Sequence, residues 1–109
     1  MAYRVSLTAF AEADAAKAFE RIRDAAPQQA EAWLERLFAA MATLEHLPSR
    51  CPIIAEAEEL GQPLRQLIFG RGAGVYRIIF HIKDDDGEVR VLRIWHGSRD
   101  ALGPFDFGP

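Results

Sequence analysis

The feature that most constrains this chain is a change of hydrophobic period near its middle. Up to Leu44 the apolar residues recur at helical spacing. From Leu64 onward they fall in short runs rich in β-branched and aromatic residues. Phe10, Ala11, Ala15, Ala18, Phe19 and Ile22 form one helical stripe. Ala30, Trp33, Leu34, Leu37, Phe38, Met41 and Leu44 form a second. Thr8 is placed to cap the first helix, with Glu12 and Asp14 near its positive end. Pro27 ends that helix and suits the first turn of the next. So short a connection predicts an antiparallel helical hairpin.

Pro48, Pro52, Gly61 and Pro63 mark residues 48–63 as a loop with room for one helical turn. The later runs, Leu64–Phe69, Val75–Lys83 and Glu88–His96, read as strands. Asp85-Asp86-Gly87 supplies a hairpin signal between the last two. Gly70-x-Gly72-x-Gly74 also joins two strands, so it reads as a hairpin loop and not as a phosphate cradle leading into a helix. Tyr3 to Leu7 alternates as a first strand, which must cross over to join the sheet because a lone strand leaves its backbone unpaired. The expected fold class is α+β, ordered β-α-α-β-β-β, with the helical hairpin on one face of a small antiparallel sheet. Residues 1–102 form one domain, and residues 103–109 form a tail.

Composition limits what such a domain can be. The 109 residues carry a formal charge of -3, and half are hydrophobic. This supports a core and argues against non-specific adhesion to nucleic acid. No apolar run approaches the roughly 20 residues of a membrane span, and no signal-peptide core opens the chain. The expectation is a cytoplasmic protein. The single cysteine, Cys51, excludes an internal disulfide and has no partners that would make it a nucleophile. His46, His81 and His96 lack ligand spacing, so neither a metal nor a cofactor is expected. The charge is divided: residues 1–60 hold ten carboxylates against six cations, and residues 61–109 hold seven cations against six carboxylates. All but Lys83 of those seven are arginines, the side chain suited to bidentate recognition of phosphate or carboxylate.

Strand alternation predicts which arginines share a face. Tyr76, Ile78, Phe80 and Ile82, with Leu92 and Ile94, should meet the helices. Arg77, Ile79 and His81, with Val91, Arg93 and Trp95, should then lie on the open face. Arg65 is expected to join them, and His96 and Arg99 follow at its end. Such a face suits a polyanion or a peptide, or is a solvated surface covered by arginine stems.

Taken together, the chain resembles the RelE/ParE toxins of type II toxin–antitoxin systems, and more closely the ParE-like, plasmid-stabilisation branch. The resemblance runs from Tyr3 to about Leu102. It is carried by Tyr3-x-Val5-x-Leu7-Thr8, by Leu44-x-x-Leu47-Pro48, by Leu64-Arg65-Gln66-Leu67, by Tyr76-Arg77-Ile78-Ile79-Phe80, and by Val91 through Asp100. It implies a toxin neutralised by an adjacent antitoxin laid across a groove and a sheet edge. It also implies contact with operator DNA only through the antitoxin complex, and the chain could oligomerise. Two activities follow from the family: inhibition of DNA gyrase, or cleavage of messenger RNA on the ribosome.

Ribonuclease members would use Arg65, Arg77 and Arg99 against phosphate, and His96 as the proton carrier. However, they place a tyrosine about six residues after the last arginine, where this chain has Phe105, and the second strand lacks a lysine pair. The gyrase-directed reading is therefore preferred. Arg65, Arg77, His81, Arg93, Trp95, His96 and Arg99 are then candidates for binding the target or the antitoxin. A non-toxic binding domain of the same fold is the third possibility.

Overall fold

A computed structural model describes residues 2–99 and 101–107. The elements are β1 (Arg4–Leu7), α1 (Ala9–Ala25), α2 (Pro27–Ala42), α3 (Ala57–Leu60), β2 (Arg65–Phe69), β3 (Tyr76–Lys83) and β4 (Glu88–His96), joined by short 3₁₀ turns. The sheet order is β1-β4-β3-β2. Strands β2, β3 and β4 are antiparallel, whereas β1 crosses over the helical hairpin and pairs parallel with β4 from Glu88 to Val91.

Local chemistry sets the helix ends. The Thr8 hydroxyl accepts from the Ala11 amide at 3.1 Å, capping α1, and donates to the Leu92 carbonyl at 2.8 Å, which ties the helix start to β4. Pro27 occupies the first turn of α2, where its missing N–H costs nothing. Ala11, Ala15 and Ala18 are the buried residues of α1, so a thin side-chain layer lets this helix lie close to the sheet. From α2 and the turn after it come Leu37, Met41 and Leu44, which meet Tyr76, Ile78, Phe80, Val89, Val91 and Ile94 in the main core. Phe10 and Phe38 belong to the two apolar stripes, yet each remains about half exposed. Gly70 adopts a φ of +87°, and a Cβ there would lie 2.3 Å from the Gly74 carbonyl oxygen, so the hairpin loop requires glycine at that position.

Two expectations about the sheet need correction. First, β4 carries a bulge. Ile79 pairs with Arg93 and Phe80 with Val91, leaving Leu92 as the extra residue. Its alternation therefore reverses midway: Val91 joins the helix-side core and Leu92 the opposite face. Second, that opposite face is not open. Ile54 and Ala57 from the Pro-rich segment, Leu64 just after it and Leu102 just before the tail close over Ile79 and Trp95 as a second small core. Phe107 packs against it, so the tail is partly structural. Residues 108 and 109 of the expected tail, and Asp100 of the last motif, lie outside the described residues.

Candidate functional site

The expected arginine face divides into several separately bonded groups. Arg77 stands on the face away from the helices. Its Nη1 and Nη2 donate to Glu56 Oε2 and Oε1 at 2.9 and 2.8 Å, and its Nε donates to Gln66 Oε1 at 2.6 Å. Glu56 also accepts from the Leu102 amide at 3.0 Å. The Arg77 guanidinium holds the Glu56 carboxyl at a pKa of about 2, against the opposing effect of its burial. One carboxylate thus fastens both the covering loop and the chain at Leu102, just before the tail, to β3.

Arg93 is bonded as fully. Its Nε and Nη2 donate to the two oxygens of Asp14 at 2.7 Å each, and its Nη1 donates to the Asp106 carbonyl at 2.6 Å. Asp14 pushes the Arg93 pKa up. Asp14 also accepts from the Ile94 amide at 2.9 Å, on the stretch of β4 beyond the end of β1. The Arg93 guanidinium lies over the rings of Trp95 and Phe10, at 5.0 and 5.5 Å from their centroids. Trp95 is buried beneath it, with Arg99 against the same ring at 3.7 Å.

Arg65 does not join Arg77. It stands directly opposite Phe80, so it points to the helix side of the sheet, and it donates to the Ser49 and Cys51 carbonyls at 3.1 and 2.6 Å. Cys51 is a buried thiol whose pKa is pushed up by desolvation. His81 lies opposite Arg90, towards the far end of β3. No group of three metal-ligating side chains is found among the described residues.

His96 faces Tyr76 across the strands, their rings edge-to-face at 5.0 Å, again on the helix side. The ribonuclease set is therefore not assembled. Arg65 and Arg77 point to opposite faces of the sheet, each occupied by an internal partner. His96 and Arg99 line a cleft of about 360 Å³ between α1 and the end of β4, which neither Arg65 nor Arg77 reaches. Phe105 is 89% exposed and carries no hydroxyl. Lys17, Arg21 and Tyr76 also line the cleft and were not expected there; only the helical phase of Lys17 and Arg21, one turn apart, hints at it.

A second cavity, of about 500 Å³, runs between β1, α1 and α2. It is mainly apolar, with Val5, Leu7, Ala15, Phe19, Leu34 and Phe38 in its walls. The half-exposed Phe38 reflects this groove. Its signal in the sequence is a stripe on α2 too wide for one sheet to cover.

No helix among the described residues is long and apolar enough to cross a membrane. No curated protein matches the chain. The family described as the ParE toxin of type II toxin–antitoxin system, parDE, matches residues 5–101, which takes in the sheet but for Arg4, the helical hairpin and the cleft. A helical hairpin on this sheet and a match over nearly the whole length have one reading: the chain belongs to the ParE toxin family of type II toxin–antitoxin systems.

Proposed function

We propose that this toxin acts in the cytoplasm by binding a protein target, DNA gyrase, and performs no chemistry of its own. The observation that carries this reading is the dispersal of the arginines. RNA cleavage through the 2'-hydroxyl requires a proton acceptor, a proton donor and cations around a single phosphate. Here Arg77 is held by Glu56 and Arg65 by backbone carbonyls, while His96 stands in a different cleft. Freeing either arginine would leave a buried or half-buried partner unpaired. Of the candidate residues, Arg99, His96 and the half-buried His81 remain accessible for target contact, and His96 and Arg99 share one cleft.

The antitoxin is neutralising, and its occupant segment in the β1–α1–α2 groove is an amphipathic helix. Phe38 and Phe19 offer the apolar wall such a helix requires, and the excess of carboxylates in residues 1–60 favours basic residues along its rim. Operator DNA is met only through that complex.

The deciding test is supercoiling by purified gyrase with increasing toxin, alongside transcript integrity in cells induced for the toxin. Inhibited supercoiling with intact messenger RNA is expected. Normal supercoiling at large toxin excess, with transcripts cut within codons, would replace this reading by the ribonuclease one. Harmless expression without antitoxin would leave only a binding domain.

A further inference from the structure

The cleft between α1 and the end of β4 has the construction of a ligand site. Two of its cations, Arg21 and Arg99, are positioned by neutral partners. Arg21 Nη2 donates to the Tyr76 hydroxyl at 3.0 Å, which leaves the phenolic proton available to another acceptor. The Arg99 guanidinium lies over the Trp95 ring, 3.7 Å from its centroid. The Ser98 amide donates to His96 Nδ1 at 3.1 Å, so this nitrogen is an acceptor and the ring proton sits on Nε2. The Ser98 hydroxyl, 2.6 Å from the same nitrogen, fixes the ring further. Lys17 stands one turn before Arg21 on the same wall.

These cations differ from the ion-paired Arg77, Lys83, Arg90 and Arg93. Arg77, Arg90 and Arg93 each pair with a carboxylate, whereas Lys17, Arg21 and Arg99 form no ion pair among the described residues. Asp14, a carboxylate on the cleft wall, is taken by Arg93 and the Ile94 amide. Glu20 and Asp24 flank Arg21 along the helix. They would repel the second charge of a phosphate monoester and any neighbouring phosphates of a nucleic acid. A single carboxylate meets less repulsion and matches the planar guanidinium.

We propose that this cleft is a carboxylate-binding site that takes one acidic side chain of a protein partner, held by Arg21 and Arg99 with donors from Tyr76 and His96. It goes beyond the gyrase reading and does not depend on it, because the site is tested on the isolated chain.

The experiment is a titration of the ¹⁵N-labelled protein with N-acetyl-glutamate amide, and separately with inorganic phosphate, read at backbone amides and arginine Nε–H groups. Saturable shifts confined to residues 14–24 and 94–99 are expected with the carboxylate probe. Arg99→Gln and Arg21→Gln should each weaken binding about tenfold, the loss of one charge-assisted contact. Arg71→Gln, exposed and outside the cleft, should leave it unchanged. Three results would overturn the proposal: no saturable shift, equal shifts in the Arg21→Gln/Arg99→Gln double variant, or saturation by phosphate alone. The native amide dispersion of each variant separates lost binding from lost folding.

Discussion

Glu56→Gln tests whether one carboxylate holds the second core in place. The substitution keeps the side chain's shape but removes the charge facing Arg77, and it turns an amide N–H₂ toward a guanidinium that can only donate. The magnitude follows from the pKa. The ordinary value is 4.5 and the folded value about 2, and each unit is about 1.4 kcal/mol, so ionised Glu56 stabilises the fold by roughly 3 kcal/mol. Its side chain is only 10% exposed, so solvent screening removes little of this. Because the folded pKa is depressed, the contribution is complete above pH 4.5 and is lost as pH falls through about 2. Urea unfolding of both proteins at several pH values reads the difference directly. Glu56→Gln should be about 3 kcal/mol less stable at pH 7, with the gap closing progressively below pH 4.5. The Leu102 amide, which Glu56 accepts, should also exchange faster in the variant. A gap below about 1 kcal/mol at neutral pH, or one unchanged down to pH 2, would refute the reasoning.

Asp14→Asn should cost about 3 kcal/mol in chemical denaturation, because it leaves the half-buried Arg93 guanidinium without its counter-charge. Gly70→Ala should cost more than about 1 kcal/mol, measured as a lower thermal midpoint, since the new Cβ meets the Gly74 carbonyl oxygen at a positive φ. Thr8→Ala should cost about 1 kcal/mol in the same assay through loss of the α1 cap. Phe38→Ser, at a half-exposed position, should change stability by under about 1 kcal/mol but weaken antitoxin binding at least about tenfold by calorimetry.

Element type was readable wherever the signal is local. Thr8 beside a helical stripe, Pro27 at a helix start and the Asp-Asp-Gly turn each act within a few residues, and the structure places all three as expected. The face assignment failed in β4 for a physical reason. A bulge inserts one residue, and Val91 and Leu92 are both apolar, so neither marks the reversal. The fate of the arginines was illegible because their partners are remote in the chain: Asp14 lies 79 residues from Arg93, and Glu56 lies 21 from Arg77. A solvated face and a covered one have the same alternation. Only the packing of the 48–63 segment and the tail, whose composition reads as a plain loop, distinguishes them.

The parallel pairing of β1 with β4 bears on how the molecule comes into being. Arg4 pairs with Glu88 and Leu7 with Val91, so the first strand to be synthesised has no place in the sheet until the last one exists. During translation the helical hairpin can form early, since its contacts are local. The sheet beneath it, the α1 cap on Leu92 and the cleft beside His96 must wait until nearly the whole chain has emerged. A ribosome that stops before β4 releases a fragment lacking the sheet's central seam and the cleft beside it. Strand order thus makes nearly complete synthesis a precondition of the assembled sheet and its cleft.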